Sequence, residues 1–288
     1  MGMPEPKFID VDGIRTRYFD AGEGEVIVLL HGSNFGADLS ADCAVNWSPN
    51  IEGIARSARV IALDRLGQGL TDNPPSLDRY TMDAVIEHVA GFIRALDIGR
   101  VHIVGHSRGG FVACRLTLDF SDLVKTCVII DSLTLAPGRG RMHEAMAGLP
   151  SPRPTRETQK WVLQRYSYRY DHIDEEWLDA LNEIAILPKY GQAIVDVGKS
   201  RFDELLAMSK IATLEELSHR GLNRPTLVIW SLNDPTATVE QGWDLYRLIA
   251  ARERRAQFHV FNESGHFTYR EHPAEFNATL LAWVGVWT

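Results

Sequence analysis

Apolar positions along this chain switch period repeatedly. Short β-branched runs at 26–30, 60–63, 101–104, 128–130, 226–230 and 258–261 are apolar almost without a break. Runs of that kind suit strands of a parallel sheet whose two faces are both covered by helices. Between them, at 46–57, 81–96, 108–119, 239–251 and 273–285, the spacing turns helical. In the second of these stretches Val85, Val89, Phe92, Ile93 and Leu96 fall on one helical face. Near the start, Phe8-Ile9-Asp10-Val11 and residues 14–19 flank Asp12-Gly13, a hairpin signal. The alternation predicts an α/β fold, a mostly parallel central sheet with helices on both faces.

The pattern breaks between 136 and 218. Pro137-Gly138-Arg139-Gly140-Arg141 and Pro150-Ser151-Pro152-Arg153-Pro154 read as loops. Helical spacing follows around 156–169, 174–186 and 190–209, and strand character returns at Pro225-Thr226-Leu227. A helical insertion between two strands of one sheet reads as a lid. The predicted organisation is therefore a core of residues 1–135 and 219–288 and a helical cap of residues 136–218. The cap holds Trp161, Tyr166, Tyr168, Tyr170, Trp177, Tyr190 and Phe202. About one in three of these is expected to face a pocket and the rest to form the cap's own packing.

Composition narrows the function class. The 288 residues are enough to bury a large core. A net charge of -8 without any basic stripe argues against nucleic acid as a partner. No apolar run approaches the ~20 residues of a membrane span. Met1-Gly2-Met3-Pro4-Glu5-Pro6 lacks the basic and apolar regions of a secretory leader. Cys43, Cys114 and Cys127 show no C-x-x-C spacing, which fits a reducing compartment and provides no zinc motif. The expectation is a cytoplasmic protein without cofactor, metal, nucleic-acid or membrane partner, with a homo-oligomer left open.

The chemistry concentrates at Gly105-His106-Ser107-Arg108-Gly109-Gly110, between an apolar run and a helical one. G-x-S-x-G in a strand–turn–helix setting is a nucleophile elbow. Its glycines permit a sharp turn that lifts the Ser107 hydroxyl clear of the sheet, at a helix end whose free N–H groups face a reacting oxygen. A serine nucleophile requires a base, an orienter for that base and an oxyanion hole. In this fold the chain order is Ser, then Asp or Glu, then His. Asp234, in Trp230-Ser231-Leu232-Asn233-Asp234-Pro235, follows one apolar run, and His266, in Glu263-Ser264-Gly265-His266-Phe267, follows the next. Both fall at the carboxyl edge of the sheet, where open parallel sheets bind ligands. Asp131, at the end of another strand, is the rival acid; its plainer role is to cap the turn at Ser132. The loop Leu29-Leu30-His31-Gly32-Ser33-Asn34 is expected to give one oxyanion N–H, from Ser33 with Asn34 as rival, and Arg108 the second. Each such donor is worth ~3 kcal/mol in the transition state. His31 and His106 are expected to be structural. His88, His102, His143, His172, His219, His259 and His272 stand singly, without metal-ligand spacing.

These residues resemble the α/β-hydrolase superfamily over nearly the whole chain. Within it, the chain looks like the meta-cleavage-product hydrolases, cofactor-free enzymes that cut a carbon–carbon bond in vinylogous 1,5-diketone acids formed by aromatic ring cleavage. The similar stretches are His31-Gly32, Asn46-Trp47 with Asn50-Ile51, Val60-Ile61-Ala62-Leu63-Asp64 with Leu66-Gly67-Gln68-Gly69, and His259-Val260-Phe261 through Gly265-His266 to Glu271-His272-Pro273 and Glu275-Phe276. The resemblance implies a small apolar or aromatic-derived substrate, with Asn34, Trp161 and Phe267 as candidate binding residues. It also exposes three departures. The family usually has Asn before the nucleophile and Met after it, where this chain has His106 and Arg108. It usually has Trp after the catalytic His, where this chain has Phe267. It usually carries a cap Arg for the substrate carboxylate, and none follows Ile173-Asp174-Glu175-Glu176 here; Arg108, Arg65 and Arg165 are the candidates to replace it. A carboxylesterase or lactonase is the alternative reading. A cofactor-free oxygenase or a small-molecule receptor is the non-hydrolytic one, since fold alone does not settle function.

Overall fold

A computed structural model describes residues 3–37 and 39–288. Met1 and Gly2, which belong to the N-terminal stretch read above, and Asp38 lie outside the described residues. The strands are β1 (Lys7–Val11), β2 (Ile14–Ala21), β3 (Val26–Leu30), β4 (Arg59–Leu63), β5 (Val101–His106), β6 (Val124–Ile130), β7 (Thr226–Ser231) and β8 (Ala256–Phe261). They form one sheet in the order β1-β2-β4-β3-β5-β6-β7-β8. The β1–β2 hairpin runs antiparallel, β2 pairs antiparallel with β4, and all pairs from β4 to β8 are parallel. The strand order reverses at β3, which has β4 on one side and β5 on the other. That makes the carboxyl ends of β3 and β5 the crevice where ligands bind in open α/β sheets.

Among the described residues the helices are α1 (Ser48–Ala55), α2 (Met82–Ala95), α3 (Arg108–Asp119), α4 (Met142–Ala145), α5 (Arg156–Tyr166), α6 (Glu175–Ala185), α7 (Pro188–Lys199), α8 (Phe202–Arg220), α9 (Val239–Ala250), α10 (Thr268–Glu271) and α11 (Pro273–Val286). None is long and apolar enough to cross a membrane. Alternate strand residues bury into opposite layers. Val28, Leu30, Ile61, Leu63 and Ile103 pack with Val85, Val89 and Phe111 of α2 and α3. Ile27, Leu29, Val60, Ala62 and Val104 pack with Ile51 of α1 and Phe276 and Leu280 of α11. Burial on both faces is why these strands read as unbroken apolar runs.

Between β6 and β7 the chain is helical, from α4 to α8. The stretch 190–209, read as one helix, is two. Ser200 breaks it: its backbone is extended, and its hydroxyl accepts from the Phe202 N–H and donates to the Val197 carbonyl. A serine offering its side chain to the backbone competes with the helix ladder. Likewise α5 stops at Tyr166 rather than 169, because Ser167 turns extended and donates to the Leu163 carbonyl. The helical segment is docked on the core through Asn46, whose side-chain oxygen accepts from Trp177 Nε1 at 2.8 Å and whose carbonyl accepts from Arg270 at 2.9 Å. The Arg270 guanidinium also lies 3.9 Å from the centre of the Trp177 ring.

Candidate active site

Ser107 sits between β5 and α3 with φ 54 and ψ -121. That region costs an ordinary residue about 1–3 kcal/mol. The surroundings hold it there. The Ser107 N–H donates to Ile130 at 2.8 Å, and its carbonyl accepts from the Gly110 N–H at 2.9 Å and the Ser132 hydroxyl at 2.6 Å. A Cβ on Gly105 would lie 2.0 Å from the Gly109 carbonyl oxygen, and one on Gly109 would lie 2.5 Å from that of Leu30. Only glycine permits so close a passage of backbone.

His266 occupies the loop between β8 and α10, and the helical segment clamps that loop. The His266 N–H donates to the Tyr166 carbonyl at 2.7 Å. Glu271 accepts from the N–H groups of Gly265, Tyr168 and Arg169 at 2.8, 3.0 and 2.9 Å. A Cβ on Gly265 would meet the Tyr166 oxygen at 2.4 Å. The Tyr166 ring stacks on the imidazole of His266, with centroids 4.9 Å apart. Neither Tyr166 nor Glu271 stood out in the sequence. Glu271 belongs to a stretch of family likeness, and nothing local signals its three backbone partners.

Two carboxylates lie at neighbouring strand ends, and they differ in what they face. His266 Nδ1 donates to Asp234 Oδ2 at 2.6 Å. The other Asp234 oxygen accepts from the Thr236 N–H and hydroxyl and from the Ala237 N–H, at 2.7, 2.8 and 3.0 Å. Asp131 turns the other way, with its backbone at φ 43. It accepts from the Ser231 N–H and hydroxyl, each at 2.7 Å. It therefore ties β6 to β7 and does not cap Ser132 with its side chain. Full burial, together with the charge of Asp234, holds the Asp131 carboxyl well above the usual range. Burial works against a charged His266, but the charge and hydrogen bond of Asp234 outweigh it and raise its pKa above the ordinary value.

His106 is structural in its contacts. Its Nε2 donates to the His266 carbonyl at 2.7 Å, joining the serine elbow to the histidine loop. Burial and the neighbouring charges of His266, His31 and Arg65 hold it neutral, well below the ordinary histidine value. His31 is fully buried under the loop that follows β3. Its Nδ1 lies 3.1 Å from the Gly32 carbonyl and 3.0 Å from Asp42, and its Nε2 accepts from the Arg65 N–H at 3.2 Å. Arg65 in turn donates to the carbonyls of Gly32 and Ser33. Ser33 takes φ 61. The N–H groups of Ser33, Asn34 and Arg108 find no backbone acceptor among the described residues.

Ser107, His266, Ser33, Asn34, Arg108 and Phe267 all line one cavity of about 420 Å³ at the carboxyl ends of β3 and β5. A cavity of that size suits a small organic molecule. Its walls also include Leu39, Leu133, Met142, Tyr166 and Leu206. Trp161 is not on this wall. It packs with the Ala145, Met146 and Val162 patch under the Arg165 guanidinium, so its expected contact with substrate is corrected. Of the cap aromatics only Tyr166 reaches the cavity. Trp177, Tyr190 and Phe202 are buried in packing, and Tyr168 and Tyr170 are exposed. Among the described residues no group of His, Cys, Asp and Glu is arranged to hold a metal ion.

A serine elbow and a carboxylate-bound histidine lining one cavity of a parallel sheet define a class of protein. The alpha/beta hydrolase fold family matches residues 25–273, and the chain belongs to that family of enzymes. Within it the chain is similar to hydrolases of meta-cleavage products. It is 29% identical over 287 residues to the 2-hydroxy-6-oxo-6-(2'-aminophenyl)hexa-2,4-dienoic acid hydrolase of Metapseudomonas resinovorans, covering 95% of this chain and 89% of that one. It is 30% identical to a 2-hydroxy-6-oxononadienedioate/2-hydroxy-6-oxononatrienedioate hydrolase of Paraburkholderia xenovorans, covering 96% and 93%. The solved meta-cleavage product hydrolase of Pseudomonas fluorescens IP01, in complex with acetates, superposes with a TM-score of 0.80 at 27% identity over 97% of both chains.

Proposed function

We propose that this enzyme hydrolyses a carbon–carbon bond in a 2-hydroxy-6-oxo-dienoate, with Ser107 as nucleophile, His266 as base and Asp234 as the acid that orients it. The observation that carries the reading is the meeting, at one cavity, of a serine on a strained elbow with a histidine whose Nδ1–H is bound by Asp234 at 2.6 Å. That hydrogen bond leaves Nε2 as the basic nitrogen. The oxyanion donors are the N–H groups of Ser33 and Arg108, which lack other backbone partners. The substrate class comes from the relatives whose names specify such dienoates.

In this mechanism His266 first moves a proton that converts the dienol to its keto form. Ser107 then adds to the 6-oxo carbon, and its proton passes to His266. The oxyanion forms between the two N–H groups. The bond between carbons 5 and 6 breaks, and its electron pair leaves on a dienolate that takes the proton from His266 and departs as the 2-hydroxydienoate. Water, activated by the His266 that is neutral again, then hydrolyses the acyl enzyme, releasing a carboxylic acid and returning the proton to Ser107. Helices α4 to α8 act as a lid: Tyr166 and residues 168–169 hold the histidine loop in register from that segment.

The test is product analysis after incubation with a panel of dienoates, neutral esters and lactones. Loss of the dienoate chromophore with release of a carboxylic acid supports the reading. Turnover of esters or lactones alone overturns it in favour of a carboxylesterase or lactonase.

A further inference from the structure

We propose that the Arg108 guanidinium is the receptor for a carboxylate on the substrate, so that one residue holds the oxyanion with its backbone and the anionic end with its side chain. The inference rests on the hydrolase reading above and specifies the substrate for that same cavity. It is carried by an accounting of the cations around Ser107. Arg65 is fully buried and donates to the Gly32 and Ser33 carbonyls. Lys210 lines the cavity, but its ammonium donates to the carbonyls of Leu133 and Gly138 at 3.1 and 3.3 Å. Arg165 donates to the Ala145 carbonyl at 2.9 Å and does not reach the wall.

Arg108 differs from all three. Among the described residues its side chain has no hydrogen-bond acceptor and no carboxylate within 4 Å; the Phe202 ring, 5.7 Å away, is its one charge-stabilising neighbour at close range. Asp203 and Tyr166 act on it only at longer range. Asp203, at the start of α8, lines the same cavity but is exposed there and makes no ion pair with Arg108, so solvent screens it. Arg108 is half-buried at the cavity wall, and a cation drawn partly out of water without a partner is costly. The planar fork of a guanidinium matches a carboxylate in bidentate fashion and orients it. The other carboxylate lining the cavity, Asp42, is taken up by His31 at 3.0 Å and Asn46 at 2.5 Å. The free valence at Arg108 is therefore left for a ligand, and its chemistry selects an anion that shares a small molecule with the scissile carbonyl.

The experiment compares wild type, Arg108→Met, Arg108→Gln and Arg108→Lys. The substrates are a 2-hydroxy-6-oxo-dienoate and two nitrophenyl esters of equal length, one ending in a carboxylate and one neutral. The expected result is that the ratio of kcat/KM for the anionic over the neutral ester falls about 10- to 100-fold in the Met and Gln variants, the span of a charge-assisted hydrogen bond. The loss should come mainly through KM, and Lys should recover part of the ratio. A ratio that stays within about twofold of wild type in both neutral variants overturns the proposal. Failure of the two readings is separable. Preference for the anionic ester with no dienoate turnover keeps Arg108 as the receptor and sinks the carbon–carbon reading. Dienoate turnover with an unmoved ratio does the reverse.

Discussion

Replacing Asp234 by Asn tests the proposed acid more sharply than removing it. The wild-type carboxylate receives His266 Nδ1 on one oxygen at 2.6 Å and three donors, two N–H groups and a hydroxyl, on the other. An amide has only one acceptor atom to distribute. Turning its NH2 toward Thr236 and Ala237 would strand those donors, at about 1–3 kcal/mol for each buried group left unpaired. The oxygen therefore stays with Thr236 and Ala237, and the NH2 faces His266. The imidazole must then accept at Nδ1 and carry its proton on Nε2, where it cannot take the proton of Ser107. The expected loss in kcat reaches ~10⁴, with the fold retained. Asp131→Asn is the control. Burial and Asp234 already push the Asp131 carboxyl toward its neutral form, and Asn keeps an acceptor for the Ser231 N–H. Its activity should stay within about tenfold, with a stability cost of about 1 kcal/mol from a weakened bond to Ser231. Steady-state kcat on one substrate and a thermal melt for each variant decide the matter. A loss in Asp131→Asn as large as in Asp234→Asn, or an Asp234→Asn enzyme within tenfold of wild type, would refute the assignment.

Ser107→Ala should lower kcat by at least ~10³ while leaving the melting curve close to wild type, because the fold uses only the backbone groups of Ser107; an active, folded variant counts against a serine nucleophile. The acid limb of kcat/KM should fall above the ordinary histidine value of about 6.5, since the base must be neutral and Asp234 raises its pKa; in Asp234→Asn, residual activity should show that limb shifted to lower pH. The same raised pKa has a stability signature of fixed sign: the His266–Asp234 contribution is complete below about 6.5 and is lost as pH rises through the folded-state value, which denaturant melts on wild type and Asp234→Asn would reveal as a difference shrinking at high pH. Glu271→Ala removes the acceptor of three backbone N–H groups, so a loss of about 2–4 kcal/mol is expected together with reduced kcat from a loosened His266 loop; unchanged kcat in a destabilised variant would limit Glu271 to a structural role.

What the sequence by itself determined is what local chemistry dictates. Short, β-branched, unbroken apolar runs such as 26–30 pointed to strands buried on both faces, because an exposed run of that kind has no favourable surface. The pair Gly105 and Gly109 around Ser107 announced a turn too tight for any side chain, and the elbow lies there. The hairpin at Asp12-Gly13 and the helical face of 82–95 were equally local. The tertiary structure decided the questions that turn on direction. Asp131 and Asp234 both end strands and read alike in sequence, yet only Asp234 points to His266, because Asp131 is drawn to Ser231 on the neighbouring strand. Trp161 and Tyr166 lie five positions apart on one helix, and packing sends one under Arg165 and the other over His266. The clamp of Glu271 on the histidine loop was hidden for the same reason. Likewise, a charged side chain such as Arg108 carries no mark in sequence of whether it has a partner. Those outcomes depend on contacts between residues far apart in the chain, and such contacts exist only once the sheet and the helical segment have packed.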